Sequence, residues 1–156
     1  MGRLFSLRAI GVAVAIIGAG FLALAAWDLP VARAQAPDPR QETYRLTGTW
    51  RGTYMCAQGL TGLTLTIEPS AYGLTAVFEF YPIAENPLVP TGRFRMEGFF
   101  DGTWRTLTLQ PREWIEQPPG YLTVGLEARV DLDWGVILGR VTGAPACTWF
   151  RLSRQR

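Results

Sequence analysis

The chain has 156 residues, enough for one domain with a single real core, and a formal net charge of +2 to which no histidine contributes. All 15 basic residues are arginine, which excludes Ser-His-Asp and Cys-His nucleophile pairs, histidine-ligated zinc, Schiff-base lysines and the phosphate-loop lysine. Residues 1–34 carry Arg3, Arg8 and Arg33 against Asp28, so the remainder holds 12 arginines and 12 acids, a neutral domain with no bulk field for nucleic acid.

Residues 1–34 read as an export signal: two arginines in MGRLFSLR, an apolar run from Ala9 to Trp27, then the small-residue stretch VARAQA. Ala32-Arg33-Ala34 predicts cleavage before Gln35, whereas a cut after Ala36 would leave Pro37 beside it. The apolar run is also about as long as a membrane-spanning helix needs. An uncleaved anchor therefore stays open as the alternative, and membrane contact is expected only in that case. With no cysteine between the run and Cys56, a lipoprotein anchor is not expected. Either way, the rest of the chain is expected in the periplasm or secreted. Residues 35–43 are polar and proline-rich and read as a flexible tether.

Strand alternation begins at Tyr44. Tyr44, Leu46, Gly48, Trp50, Gly52, Tyr54 and Cys56 share one parity, against Arg45, Thr47, Thr49, Arg51 and Thr53, as in a half-buried strand. Leu63, Leu65 and Ile67 predict a second strand, and Leu74, Ala76, Phe78 and Phe80 a third. After the connection PIAENPLVPTG, the inward set Phe94, Met96, Gly98 and Phe100 predicts a fourth, followed at once by the hairpin signal Asp101-Gly102. A fifth strand spans Thr103 to Gln110, and PREWIEQPPG leads to a sixth lined by Leu122, Val124, Leu126, Ala128 and Val130. Val136 to Thr142 and Cys147 to Arg154 complete the set. The only helical expectation beyond the signal is a single turn around Arg112 to Glu116.

Eight short antiparallel strands within residues 44–156 predict an all-β, up-and-down barrel. In that order the two long connections, the tripeptide after Cys56 and the GAPA turn before Cys147 fall at one end. Closure sets the first strand beside the eighth, so Cys56 and Cys147 meet at the seam, where an exported chain with two cysteines is expected to form a disulfide. Its loop of 91 residues makes the stabilisation roughly 4–5 kcal/mol on the chain-entropy model.

Gly48-Thr49-Trp50 with Arg151 resembles the calycin pattern of lipocalins, avidins and periplasmic protease-inhibitor barrels. The resemblance implies that an arginine of the last strand packs on the first-strand tryptophan. Phe150 and Leu152 read as the inward pair of that strand, which turns Arg151 outward unless a bulge resets the parity. The phrases CAQGLTGLTLTI and WIEQPPGYLTVGL also resemble an uncharacterised β-rich domain of exported bacterial proteins, which implies no activity.

The pairs Glu113 with Glu116 and Asp131 with Asp133 read as solvated loop charge rather than as glycosidase-like carboxylates or calcium ligands. No catalytic residue, metal or cofactor is expected, and the chain is read as a non-enzyme. Tyr81, Ile83, Leu88, Trp114, Ile115 and Tyr121 gather on the long connections, where apolar residues either cap a core or form a contact surface. The functional expectation is an exported barrel that binds a protein or a small apolar ligand at its long-loop end. The alternative is a structural or accessory module with a filled interior.

Overall fold

The computed structural model describes residues 39–156, with side chains from Gln41 onward. The export-signal expectation for 1–34 lies outside the described residues, as does the first part of the tether. One helix, α1 (Pro39–Leu46), precedes eight strands: β1 (Gly48–Cys56), β2 (Gly59–Ser70), β3 (Gly73–Tyr81), β4 (Gly92–Asp101), β5 (Thr106–Glu116), β6 (Gly125–Val130), β7 (Val136–Thr142) and β8 (Trp149–Arg154). Each strand pairs antiparallel with the next and β8 returns to β1, closing an up-and-down barrel.

Period-two alternation places the core. One inward row runs Trp50, Leu65, Phe78, Phe94 and Trp114 across five successive strands, each directly opposite the next. Trp50, Leu63, Leu65, Ile67, Met96, Leu107, Leu109, Ile137, Phe150 and Leu152 are wholly buried. At three inward positions, Gly52, Gly98 and Gly139, a side chain would meet backbone. A Cβ on Gly52 would lie 2.0 Å from the Arg151 carbonyl oxygen, and one on Gly98 would lie 1.8 Å from that of Thr108. Glycine there lets neighbouring strands coil tightly enough to close a narrow barrel.

Three boundaries differ from the sequence reading. Tyr44 and Leu46 lie in α1, not in the first strand. Pro39 at the first helical position and Arg45 in the last turn suit a short helix, and Leu46 is wholly buried from its end. Gly48, at φ 120°, then turns the chain into β1, so the inward parity of Leu46 and Trp50 continues through a change of backbone.

The second boundary concerns Arg112–Glu116, which extend β5 rather than forming a helical turn. Register shifts beside Phe94 and Met96 absorb Pro111, and Arg95 pairs with Glu113 at 3.1 Å, Arg112 with Glu97 at 2.9 Å and Arg93 with Glu116 at 3.6 Å across the outer wall. As a result, β6 starts only at Gly125 and Leu122 falls in the preceding connection, largely exposed.

The third is the β4–β5 turn, which contains four residues rather than two. The Asp101 carboxylate accepts the Trp104 N–H at 3.1 Å, and Arg105 takes a left-handed conformation. The tetrapeptide GTWR occurs at both Gly48–Arg51 and Gly102–Arg105, and the two copies differ in setting: Trp50 is in the core, whereas Trp104 is exposed on this turn.

Candidate functional site

The two ends of the barrel are built differently. At the α1 end, the Trp50 indole N–H donates to the Leu46 carbonyl at 2.9 Å. The Arg154 guanidinium lies 4.4 Å from the centre of the Trp50 ring and donates to the carbonyls of Thr47 at 3.0 Å, Trp134 at 3.2 Å and Arg45. Partial burial lowers the Arg154 pKa from its ordinary value. Beside it, Arg45 and Arg105 flank the Trp134 ring at 5.1 and 4.3 Å. The Asp131 carboxylate accepts the N–H groups of Gly135 at 2.7 Å and Val136 at 2.9 Å, which fixes the β6–β7 turn. These contacts seal that end.

The opposite end carries the connections β1–β2, β3–β4, β5–β6 and β7–β8, and a disulfide joins Cys56 to Cys147 there. Beneath the disulfide lies a cavity of about 410 Å³, within the range of small-molecule sites. Tyr54, Phe78, Phe80 and Phe94, themselves almost wholly buried, lie at its floor, while Gln58, Tyr121, Leu122, Val124, Ala144 and the disulfide contribute to its wall and rim. Phe78 stacks on Phe94 with ring centres 4.8 Å apart, and Phe80 stacks on Tyr121 at 5.1 Å. Tyr54 meets Phe78 edge-on at 5.3 Å.

The polar groups of the cavity converge. Gln58 Nε2 donates to the Tyr54 hydroxyl at 2.7 Å. Burial, reinforced by the nearby Tyr121 phenol, pushes the Tyr54 pKa well above the ordinary tyrosine value, so the phenol stays neutral. The lining contains no arginine, aspartate or glutamate. As it stands, the half-open pocket can seat an apolar body over these rings, but it offers no charge partner.

Of the six residues singled out on the long connections, Tyr121 lines this cavity. Trp114 packs edge-on against Phe94 at 5.1 Å and Phe80 at 6.4 Å, behind the cavity wall. Tyr81 and Ile83 lie over Gly62, where a Cβ would fall 2.4 Å from the Tyr81 ring and 2.9 Å from Ile83. Ile115 and Leu88 are exposed, the latter almost completely. Glu113 and Glu116 stand outside the barrel in their ion pairs.

In the Gly48, Trp50 and Arg151 signature, Arg151 is exposed, and Arg154 takes the place over Trp50. Arg154 shares the inward parity of Phe150 and Leu152, so the alternation carried one step further finds it. Tyr54, Phe78, Phe80 and Phe94 were legible as inward residues but not as a cavity lining. Gln58 lies in a two-residue turn, where periodicity carries no signal.

Compared with protein-family models, with curated proteins and with solved structures, the chain matches none. The disulfide is compatible with an oxidising compartment outside the cytoplasm.

Proposed function

We propose that this chain is an exported, non-enzymatic binding protein of calycin type, periplasmic or secreted after removal of residues 1–34, whose barrel takes one small apolar molecule. The observation that carries the reading is the aromatic cavity of about 410 Å³ at the long-loop end, beneath the Cys56–Cys147 bond. Burying an apolar ligand there gains roughly 25 cal/mol per Å² of surface removed from water. A sealed opposite end, with Arg154 on Trp50, supports the calycin comparison and leaves one mouth for access.

The test is fluorescence titration of the full chain with N-phenyl-1-naphthylamine, alongside Ala144→Trp, which puts an indole into the cavity. The expected result is enhanced emission with the native chain, its loss in the variant, and a melting temperature close to native for both. Emission equal in the two proteins, or absent from both, would overturn the proposal.

Leu88, 92% exposed at the same end and outside the cavity lining, favours a second reading in which these loops contact a protein. Leu88→Ser separates the two: dye binding persists, while capture of a protein partner is lost. The alternative of a structural module with a filled interior gains from an aromatic titration that shows no saturable site.

A further inference from the structure

We propose that the sealed end of the barrel is a membrane-facing surface: the tips of its turns enter the headgroup layer of a lipid bilayer and hold the barrel with its mouth toward the water. The inference goes beyond the binding reading and does not rest on it.

The first observation is where the exposed apolar side chains stand. In this up-and-down order the β2–β3, β4–β5 and β6–β7 turns share the end that carries α1. Each of the three presents one large side chain: Tyr72 is fully exposed, Leu132 is 82% exposed and Trp104 67%. On the same rim α1, which leads into β1, adds Tyr44 at 62%. The helix stands beside the β4–β5 turn, since a Cβ on Gly102 would meet the Glu42 carboxylate. Tight turns ordinarily carry small and polar residues, and side chains this open to solvent contribute little to the core. Apolar residues scattered singly over a surface need no explanation, but one on every turn of one end is a pattern.

The second observation is the spacing of the tips. Successive turns are two strands apart, which sets their tips roughly 10 Å from one another around the rim. The same rim carries Arg45 and Arg105 together with Glu42, Asp101 and Asp133. A protein partner needs a continuous, desolvated centre, whereas a headgroup layer takes tips one at a time and leaves the charges hydrated. Tyrosine and tryptophan, each an apolar ring with a polar edge, favour that layer. With both signs of charge present, a neutral phospholipid suffices.

The third observation is where the rest of the chain joins. The apolar run from Ala9 to Trp27 connects through residues 28–38 to α1, at the sealed end. Fully extended, those connecting residues span at most roughly 40 Å. While the run lies in a bilayer, as it does during export, the sealed end is therefore the end tethered to the membrane surface.

The test is photo-crosslinking of the full chain in dioleoylphosphatidylcholine vesicles that contain a phosphatidylcholine with a diazirine high on one acyl chain, the adducts being mapped by mass spectrometry. The expected result is lipid adducts at Tyr44, Tyr72, Trp104 and Leu132 as well as on the run from Ala9 to Trp27, with none at Leu88 or Leu122 beside the mouth. In Tyr72→Ser/Trp104→Ser/Leu132→Ser the run is still labelled, while adducts at Tyr44 fall severalfold. A melting temperature close to native, expected for substitutions of exposed side chains, shows that this variant folds.

Adducts confined to the run would mean that the barrel hangs free on its tether, and adducts at Leu88 and Leu122 that it sits mouth-down. Either result would overturn the inference, as would the absence of any lipid adduct or undiminished labelling of Tyr44 in the triple variant. All four outcomes leave the reading of the cavity untouched, because that reading is tested by the dye titration.

Discussion

Arg154 covers the face of Trp50, 4.4 Å from the ring centre, while its guanidinium donates to the Thr47 carbonyl at 3.0 Å. One side chain thus ties the last strand to the first strand and to the end of α1. Arg154→Met removes the stacked charge and leaves the carbonyls of Arg45, Thr47 and Trp134 without this donor. A loss of about 2–3 kcal/mol is expected in urea unfolding. Arg151→Met, on the exposed face, is expected to change stability by less than about 0.5 kcal/mol. Equal effects of the two substitutions would remove Arg154 from this role.

The disulfide closes a loop of 91 residues and forms part of the cavity rim. Cys56→Ser/Cys147→Ser is expected to lower stability by roughly 4–5 kcal/mol on the chain-entropy model. Because Trp50–Tyr54 of β1 remain paired with Phe150–Arg154 of β8, the barrel itself persists, and the change at the mouth appears as weaker dye binding. Unfolding midpoints with and without reductant, measured beside the variant, check both parts.

Tyr54 links stability to alkaline pH. Its folded pKa is raised, so the neutral phenol is the form the native state prefers. The associated stability is complete below the unfolded tyrosine value of about 10 and declines as pH rises from there toward the higher folded value. Tyr54→Phe is expected to flatten that decline between about pH 9.5 and 11. A stability profile of the same shape in both proteins would show that another group controls it.

Glu113 and Glu116 are half or more exposed in their pairs with Arg95 and Arg93. Glutamine at either position is expected to cost no more than about 1 kcal/mol and to leave ligand binding unaltered. A binding or hydrolytic activity abolished by Glu113→Gln or Glu116→Gln would contradict the non-enzymatic proposal directly.

Gly98 tests how the barrel closes. Its missing side chain leaves room for the Thr108 carbonyl, which an added Cβ would approach to 1.8 Å. Gly98→Ala is expected to destabilise by about 3 kcal/mol, as overpacking against backbone that cannot retreat. Thermal melts of this variant beside Gly120→Ala, which has open space but a φ of 80°, separate a clash from backbone strain.

Much of the fold was legible because a barrel strand writes its orientation into alternate residues. Phe78 and Phe80, or Leu63 and Leu65, announce their face without reference to anything distant. The Cys56–Cys147 bond is legible from strand order together with the presence of just two cysteines, since closing eight antiparallel strands brings those two ends together. The site was less legible. Sequence spacing assigns Tyr81 and Trp114 to long connections at the mouth, yet β5 runs on through Glu116 and draws Trp114 against Phe94. Tyr121 alone among the six reached the cavity, since the shortened connection folds it back onto Phe80.

By itself, the sequence determined strand count, facing, closure and the seam, because each depends on local periodicity or on order along the chain. Only the tertiary structure decided that α1 and Arg154 seal one end while the other keeps a cavity beneath the disulfide. Whether inward rings meet or leave a space depends on the distance between opposite walls. Strand coiling at Gly52 and Gly98, bulges beside Phe94 and the path of residues 117–124 together set that distance, and no single stretch of sequence contains it.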